Sequence, residues 1–125
     1  MKYNWLILFT VLLVYSCGGE KLPKGILPKD KMVPILVDQH LAEVIFNQRF
    51  SLGIKDDKNV MDDLYLSVLK KNRVDQKIFE QSVFYYSKHP YKYIPIYDEV
   101  LNRLNEMQVK VKLENPALGI KEIKK

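Results

Sequence analysis

The chain has 125 residues and a mass of 14.7 kDa, a length that corresponds to one domain rather than two. Charged residues make up 28% of the sequence and hydrophobic residues 47%, which excludes a disordered polyelectrolyte and a protein with several membrane spans. The net charge is a mild +5. A single cysteine excludes an intramolecular disulfide, and five glycines with six prolines are too few for the turns of an all-β sandwich.

The N terminus has the layout of an export signal. Lys2 precedes an apolar run over 5–14, which is much shorter than the roughly 20 residues of a transmembrane helix. The junction Leu13-Val14-Tyr15-Ser16-Cys17 resembles a bacterial lipobox, although Tyr15 departs from the usual small or aliphatic residue. The resemblance implies cleavage before Cys17, a diacylglyceryl group on its sulfur and an acylation site at the new amino group. We predict no other cofactor.

The residues after Cys17 bear on where a lipoprotein would be sorted. By analogy with lipoprotein sorting, Gly18 is not the aspartate that retains lipoproteins in the inner membrane, which favours the outer membrane. The following residues lack the run of acids that resembles a surface-export tag, so we expect a domain that faces the periplasm. The predicted divisions are a signal peptide over 1–16, the lipidated cysteine and a flexible tether over 17–29, a helical domain over 30–113 and a basic flexible tail over 114–125.

Hydrophobic periodicity predicts an all-α protein, a small bundle of about four helices without strands. The first helix is predicted from an N-cap at Asp30 to about Phe50. Its apolar side chains occupy two sides, which favours a central position in the bundle: Met32, Val33, Ile35, Val37, Leu41, Ala42, Val44, Ile45 and Phe46. The second helix, from about Asp57 to Lys71, has one apolar stripe that contains Val60, Met61, Leu64, Tyr65, Val68 and Leu69.

The ends of the next helices are marked by capping residues. Asn72 is predicted to adopt a left-handed conformation that ends the second helix, and Asp75 to cap the third, so a short link forces a hairpin or a sharp corner. The third helix, Gln76 to about Lys88, is expected to bury Ile78, Phe79, Ser82, Val83 and Tyr86 but not Phe84.

The fourth helix is predicted to begin at Pro90, a residue that suits the first helical position. Pro95 should kink or delay it. Its apolar face is predicted to contain Ile96, Tyr97, Val100, Leu101, Leu104, Met107 and Val111.

Three segments together resemble one known family. They are PKDKMVPILVDQHLAE at 28–43, FEQSVFYY at 79–86 and IYDEVL at 96–101, and they are similar to the domain of unknown function numbered 4296, a family of short helical lipoproteins of Bacteroidota. The resemblance covers about 23–108. It implies a helical lipoprotein but no defined chemistry, and an association of such lipoproteins with outer-membrane protein assembly gives a lead for function.

Asp38, His40 and Glu43 form the one cluster of catalytic residue types. On a helix His40 and Glu43 are about 60° apart and can share a proton or a metal ion, whereas Asp38 and His40 diverge by about 200°. Because a zinc site needs three or four ligands, we predict no metal site, and we favour pairing of His40 and Glu43 with neighbouring helices. A metal-dependent or hydrolytic enzyme centred on these two residues remains the alternative.

Aromatic and basic residues alternate at the junction of the third and fourth helices. Tyr86 and Tyr97 are expected in the core, whereas Phe84, Tyr85, Tyr91 and Tyr93 are the candidate partner-binding residues, because aromatic side chains are enriched at protein interfaces. Lys88, His89 and Lys92 lie among them, a pattern that also suits nucleic acid, but an export signal argues against that partner. No small-molecule substrate is identified.

These features predict a non-enzymatic protein, anchored in the outer membrane on its periplasmic face, that binds another envelope protein. Anchoring would raise its effective concentration near membrane partners. Besides the enzyme, a second alternative is a chaperone-like binder of unfolded outer-membrane proteins, which would require an exposed apolar groove rather than a compact patch.

Overall fold

The computed structural model describes residues 21–54 and 59–115. This part of the chain contains four α-helices and no strand: α1 Lys29–Ser51, α2 Val60–Lys71, α3 Gln76–Ser87 and α4 Pro90–Glu114. The prediction of a small all-α bundle is confirmed. The predicted signal peptide, Cys17 and residues 116–125 of the predicted tail lie outside the described residues.

The long helices α1 and α4 lie side by side and are covered on part of their length by the short ones. α1 packs against both α2 and α4, and α3 packs against α4. Asp38 of α1 contacts the C-terminal end of α2 at Lys71, whereas Ala42, one turn later, shares a small cavity with Met61 near the start of α2. α1 and α2 are therefore antiparallel. The link between α2 and α3 is a corner, since these two helices pack against different partners.

The core lies in the N-terminal half of α1 and the facing parts of the other helices. Met32 and Ile35 are fully buried, as is Val100 of α4. The other buried apolar residues are Val33, Leu36, Val37, Ala42, Val68, Leu69, Phe79, Tyr86 and Ile96. Each buried side chain of this size contributes about 1.5–3 kcal/mol to folding. α1 is therefore the central helix, as its two apolar sides predict.

The predicted starts of α3 and α4 are correct, whereas the predicted N-cap of α1 is wrong. Asp75 caps α3 as predicted, because its carboxylate accepts hydrogen bonds from the backbone N–H groups of Lys77 and Ile78. Pro90 is the first residue of α4, and Pro95 does not delay that helix. α2 begins at Val60, and Asp57, the predicted start, lies outside the described residues.

Asp30 is not the N-cap of α1. The helix begins one residue earlier, after an extended Pro28, and Asp30 lies in its first turn. A carboxylate there still interacts favourably with the positive end of the helix.

A Schellman motif ends α2, and its left-handed residue is Arg73 rather than the predicted Asn72. Arg73 has φ 54°. The N–H of Arg73 donates to the carbonyl of Lys70, and the N–H of Val74 donates to the carbonyl of Leu69, which is the bonding pattern of this motif. Asn72 keeps an ordinary φ of −84°, because its amide is used elsewhere, as a donor to the Val68 carbonyl and to Asp38.

The described part of the predicted tether, 21–28, is packed against the domain, so the prediction of a free linker is wrong there. Leu22, Ile26 and Leu27 pack on the core. The N–H of Leu27 donates to the hydroxyl of Ser82 at 2.8 Å, and the hydroxyl of Tyr86 donates to the Leu27 carbonyl at 2.8 Å. Both polar groups of Leu27 are thus bound by α3.

The C-terminal halves of α1 and α4 are more exposed than their periodicity predicts. Val44 and Ile45 of α1 are 61% and 52% exposed, and Leu101 and Val111 of α4 are 49% and 48% exposed. In α3, Ile78 is also exposed, contrary to prediction, whereas Phe84 is exposed as expected. None of the helices in the described ranges combines the length and apolarity that a membrane crossing needs.

We predict that Ser82→Ala lowers the free energy of unfolding by about 1–3 kcal/mol, because it leaves the N–H of Leu27 without its acceptor. Ser87→Ala is the matched control. Ser87 is exposed, its hydroxyl donates only to the Phe84 carbonyl, and its replacement should change stability by less than about 0.5 kcal/mol. Urea unfolding followed by circular dichroism measures both. Equal effects of the two substitutions would contradict the role assigned to Ser82.

We predict opposite effects of glycine at two neighbouring positions of the α2–α3 link. Arg73→Gly should raise the free energy of unfolding by up to about 1 kcal/mol, because glycine adopts a positive φ without steric cost. Asn72→Gly should lower it by roughly 1–2 kcal/mol through loss of two side-chain hydrogen bonds. Thermal or urea unfolding distinguishes the two signs, and stabilisation by Asn72→Gly would contradict the assigned geometry.

Candidate functional site

The three polar residues of α1 face two different helices. The carboxylate of Asp38 accepts a hydrogen bond from the Lys71 ammonium at 2.7 Å and from the Asn72 amide at 2.8 Å. His40 instead faces α4, and Glu43 lies beside it, between the cavity shared with α2 and the side of α4. The structure therefore brings His40 and Glu43 together and places Asp38 elsewhere, as the predicted divergence of Asp38 and His40 around α1 requires.

His40 links Glu43 to Tyr97 of α4. Its Nδ1 lies 3.5 Å from a carboxylate oxygen of Glu43, and its Nε2 lies 2.9 Å from the hydroxyl of Tyr97. With the proton on Nδ1, the ring donates to Glu43 and accepts from the phenol, so the three groups form one polar connection between α1 and α4. Within the described residues no group of three or more His, Cys, Asp or Glu side chains is placed to hold a metal ion.

Seven aromatic rings form a continuous series from His40 to the α3–α4 junction. Each ring centroid lies 4.2–6.2 Å from the next, the range of favourable ring contacts, which add about 0.5–1.5 kcal/mol per pair to area burial. The series runs in the order His40, Tyr97, Tyr93, Tyr86, Tyr85, His89 and Tyr91. The two regions singled out from the sequence are therefore physically connected.

The four candidate partner-binding residues divide into two pairs. Phe84 and Tyr91 are 67% and 63% exposed and are available to a partner. Tyr85 and Tyr93 are half-buried and pack against the core, so only part of each ring is open to a partner. Tyr93 is occupied by stacking on Tyr86 and by an edge contact with Tyr97.

Lysines lie over these rings. The ammonium of Lys88 is 5.5 Å from the centroid of Phe84, and that of Lys92 is 5.5 Å from Tyr85 and 5.6 Å from Tyr91. Lys92 also donates to the Tyr85 hydroxyl at 2.9 Å. Such cation–π contacts contribute about 0.5–1 kcal/mol at exposed sites.

Two tyrosines of the series, Tyr86 and Tyr93, have raised pKa values. Burial raises the pKa of Tyr86, and the neighbouring Tyr85 and Asp30 raise it further against the lowering effect of Lys92. Burial, followed by the effect of Tyr97, raises the pKa of Tyr93. Both phenols therefore stay protonated at neutral pH, and that of Tyr86 donates its proton to the Leu27 carbonyl.

An open groove of about 830 Å³ lies between the C-terminal halves of α1 and α4. The His40–Tyr97 hydrogen bond closes one end of it. The α1 wall contributes Leu41, Val44 and Asn47, and the α4 wall, from Tyr97 to Lys112, contributes Leu101, Leu104, Asn105, Met107, Gln108 and Val111. α1 and α4 are parallel. Leu27, just before α1, is hydrogen-bonded to Tyr86, which stacks on Tyr93 near the start of α4, whereas His40, further along α1, contacts Tyr97, further along α4. At 1.5 Å per residue the α4 wall is about 22 Å long.

The apolar residues of the groove belong to stripes that periodicity predicts to face the interior of the bundle. Periodicity does not predict the groove itself. A signal for it exists in the helix lengths. α1 and α4 have 23 and 25 residues, whereas α2 and α3 have 12 each. Two short helices cannot cover two helices of twice their length, so one end of each long apolar stripe has to remain exposed.

Comparison with known proteins identifies a family. The family described as Domain of unknown function (DUF4296) matches residues 23–110, which include the packed segment before α1 and nearly all of α4. The chain belongs to this family. No curated protein and no solved structure matches the chain.

Proposed function

We propose that this DUF4296 protein is a non-enzymatic, lipid-anchored accessory of the cell envelope that binds an amphipathic helix of another envelope protein in the groove between α1 and α4. Cys17 carries the lipid in this proposal, and the domain stands on the periplasmic face of the outer membrane in a Bacteroidota cell. The observation that carries the proposal is the exposed apolar groove, which is also the feature that the chaperone-like alternative requires. A part in the assembly of outer-membrane proteins is consistent with such a role.

The shape of the groove favours a helix as the occupant. Two parallel helices separated by an apolar floor form the position that a third helix occupies in a bundle, and the α4 wall corresponds to about four helical turns. The floor is apolar, at Leu104 and Met107, while Asn47, Asn105 and Gln108 supply amides at the sides. Apolar anchors with polar flanks are the pattern of helix-in-groove recognition.

The geometry of His40 supports binding rather than catalysis. His40, Glu43 and Tyr97 satisfy one another across the two groove walls, an arrangement that fixes the spacing between α1 and α4 at the closed end. A preformed groove lowers the ordering cost of binding. The enzyme alternative would require His40 to be released from Glu43 and Tyr97, since each of its ring nitrogens faces one of them.

The lipid anchor is tested by metabolic labelling with a fatty acid. The wild-type protein should incorporate the label, and Cys17→Ala should lose it entirely, because the chain has only this cysteine and the diacylglyceryl group forms a thioether. An unlabelled wild-type protein, or a Cys17→Ala variant labelled to the same extent, would contradict the anchor.

The groove is tested by photo-crosslinking from single positions in the living cell. A photoreactive residue at Val44 or Val111 should crosslink to the same segment of one partner, at partner positions spaced three or four residues apart. Leu66 is the matched control, since it is an equally exposed apolar residue on α2, outside the groove. Leu101→Asp with Met107→Asp should weaken the complex at least tenfold, because each removes an apolar contact, without changing the unfolding midpoint.

The same experiment separates the alternatives. Crosslinks that spread over many outer-membrane proteins without a helical spacing would replace the proposed partner by unfolded clients, as the chaperone-like alternative expects. Crosslinking from Leu66 as strong as that from Val44 would refute the groove as the binding site.

A further inference from the structure

Among the described residues, positive charge is concentrated at one end of the bundle, which we call the basic end and define as residues 21–31 and 84–92. It contains six lysines and one acidic residue, Asp30. Elsewhere in the described ranges, eight Lys and Arg residues are outnumbered by ten Asp and Glu residues. Five of the six lysines are exposed, namely Lys21, Lys24, Lys29, Lys31 and Lys88, and the sixth, Lys92, is half-buried.

The two segments of the basic end are held together by contacts of the fold. Leu27 is hydrogen-bonded to Tyr86, and Tyr85, the neighbour of Tyr86, accepts a hydrogen bond from Lys92. The charge of Asp30 also acts on Tyr86. Since α1 and α4 run in parallel, their N termini lie at this end, and the groove lies toward the other.

Exposed aromatic rings stand among these lysines. Phe84 and Tyr91 are each about two-thirds exposed, and an ammonium group lies over each ring. Aromatic and basic side chains are the two groups that interact with the headgroup region of a bilayer, the rings at the interface and the lysines with anionic phosphates. The other described residues carry more acidic than basic side chains.

The chain also leads from this end to the candidate anchor. Residues 21–28 are fixed to α3, and only 18–20 separate Lys21 from Cys17. The four residue-to-residue steps from Cys17 to Lys21 span at most about 14 Å. A lipid on Cys17 would therefore bring the basic end to the membrane surface and leave no room for the domain to stand far above it.

We propose that the basic end docks on anionic phospholipid headgroups, with Phe84 and Tyr91 at the bilayer interface, so that the groove faces away from the membrane. This orientation rests on the proposed anchor at Cys17, but its contacts are those of the domain itself. Docking by six lysines weakens with salt, since exposed charges are screened.

Orientation is measured on the full mature protein reconstituted in vesicles. With Cys17 lipidated, a single added cysteine is the only free thiol, so Ser87→Cys and Leu113→Cys each accept one fluorescent label. Ser87 lies between Phe84 and Tyr91, and Leu113 lies at the far end of α4. In phosphatidylethanolamine vesicles with phosphatidylglycerol and a lipid-borne quencher, the label at Ser87 should be strongly quenched and that at Leu113 should not.

Charge reversal tests the stated contact. Lys24→Glu, Lys29→Glu and Lys88→Glu together should remove the quenching of the Ser87 label, an effect of about a hundredfold on the docking equilibrium. The matched control reverses three lysines outside the basic end, Lys70, Lys77 and Lys110, and should leave the quenching unchanged. Vesicles of phosphatidylcholine alone should give little quenching.

The outcomes separate docking from anchoring. Mass spectrometry of the Cys17 peptide and flotation with vesicles report the lipid anchor independently of the label. A lipidated protein that floats with an unquenched Ser87 label would overturn docking and leave the anchor in place, and would favour a protein partner for Phe84 and Tyr91. Equal quenching on phosphatidylcholine, or in the triple reversal variant, would overturn the role of anionic headgroups.

Discussion

The hydrogen bonds of one residue's backbone, that of Leu27, determine how the N-terminal segment joins the bundle. Its N–H and carbonyl are bound by Ser82 and Tyr86, which lie 55 and 59 residues further along the chain. Ser82 is fully buried, and its hydroxyl also donates to the Ile78 carbonyl. A buried polar group without a partner costs about 1–3 kcal/mol. The loss of the hydrogen bond between Ser82 and Leu27 would therefore destabilise the polar groups of both residues. This contact fixes the direction from which the chain enters α1.

The unequal lengths of the helices explain the rest of the architecture. α2 and α3, each about 18 Å long, cover only half of α1 and α4, which are about 35 Å long. The covered halves form the core around Met32 and Val100, and the uncovered halves form the groove. The bundle is therefore polarised, with a packed basic end near the candidate anchor and an open apolar groove at the other.

The sequence predicted those features of the fold that depend on interactions between neighbouring residues. The cap at Asp75 depends on two adjacent backbone N–H groups, and the start of α4 depends on the fixed φ of Pro90, so both followed from the sequence. The left-handed residue after α2 did not. Asparagine is favoured there in isolation, but Asn72 bonds to Asp38 of α1, a contact made 34 residues away, and the positive φ passes to Arg73. The packed segment 21–28 was missed for the same reason, since its partners lie in α3.

The candidate site was predictable in its residues and not in its arrangement. The pairing of His40 with Glu43 follows from their spacing on a helix, whereas its extension to Tyr97 depends on how α1 lies against α4. Periodicity identified Leu101 and Val111 as apolar positions of one stripe but could not tell that no helix covers them. Whether such a stripe is buried in the core or lines a groove depends on the lengths of the neighbouring helices. Those lengths can also be estimated from the sequence.

Because α1 and α4 are parallel and both begin at the basic end, the position of a residue along either helix sets its distance from that end. A helix rises 1.5 Å per residue, so the positions of α4 that line the groove between Leu101 and Lys112 stand roughly 15–35 Å beyond its first residue, Pro90. With the basic end on the lipid, the protein would work as a spacer of set length. It would bind helices of a partner that are held at that distance above the leaflet, and it would not bind helices that lie flat on the membrane.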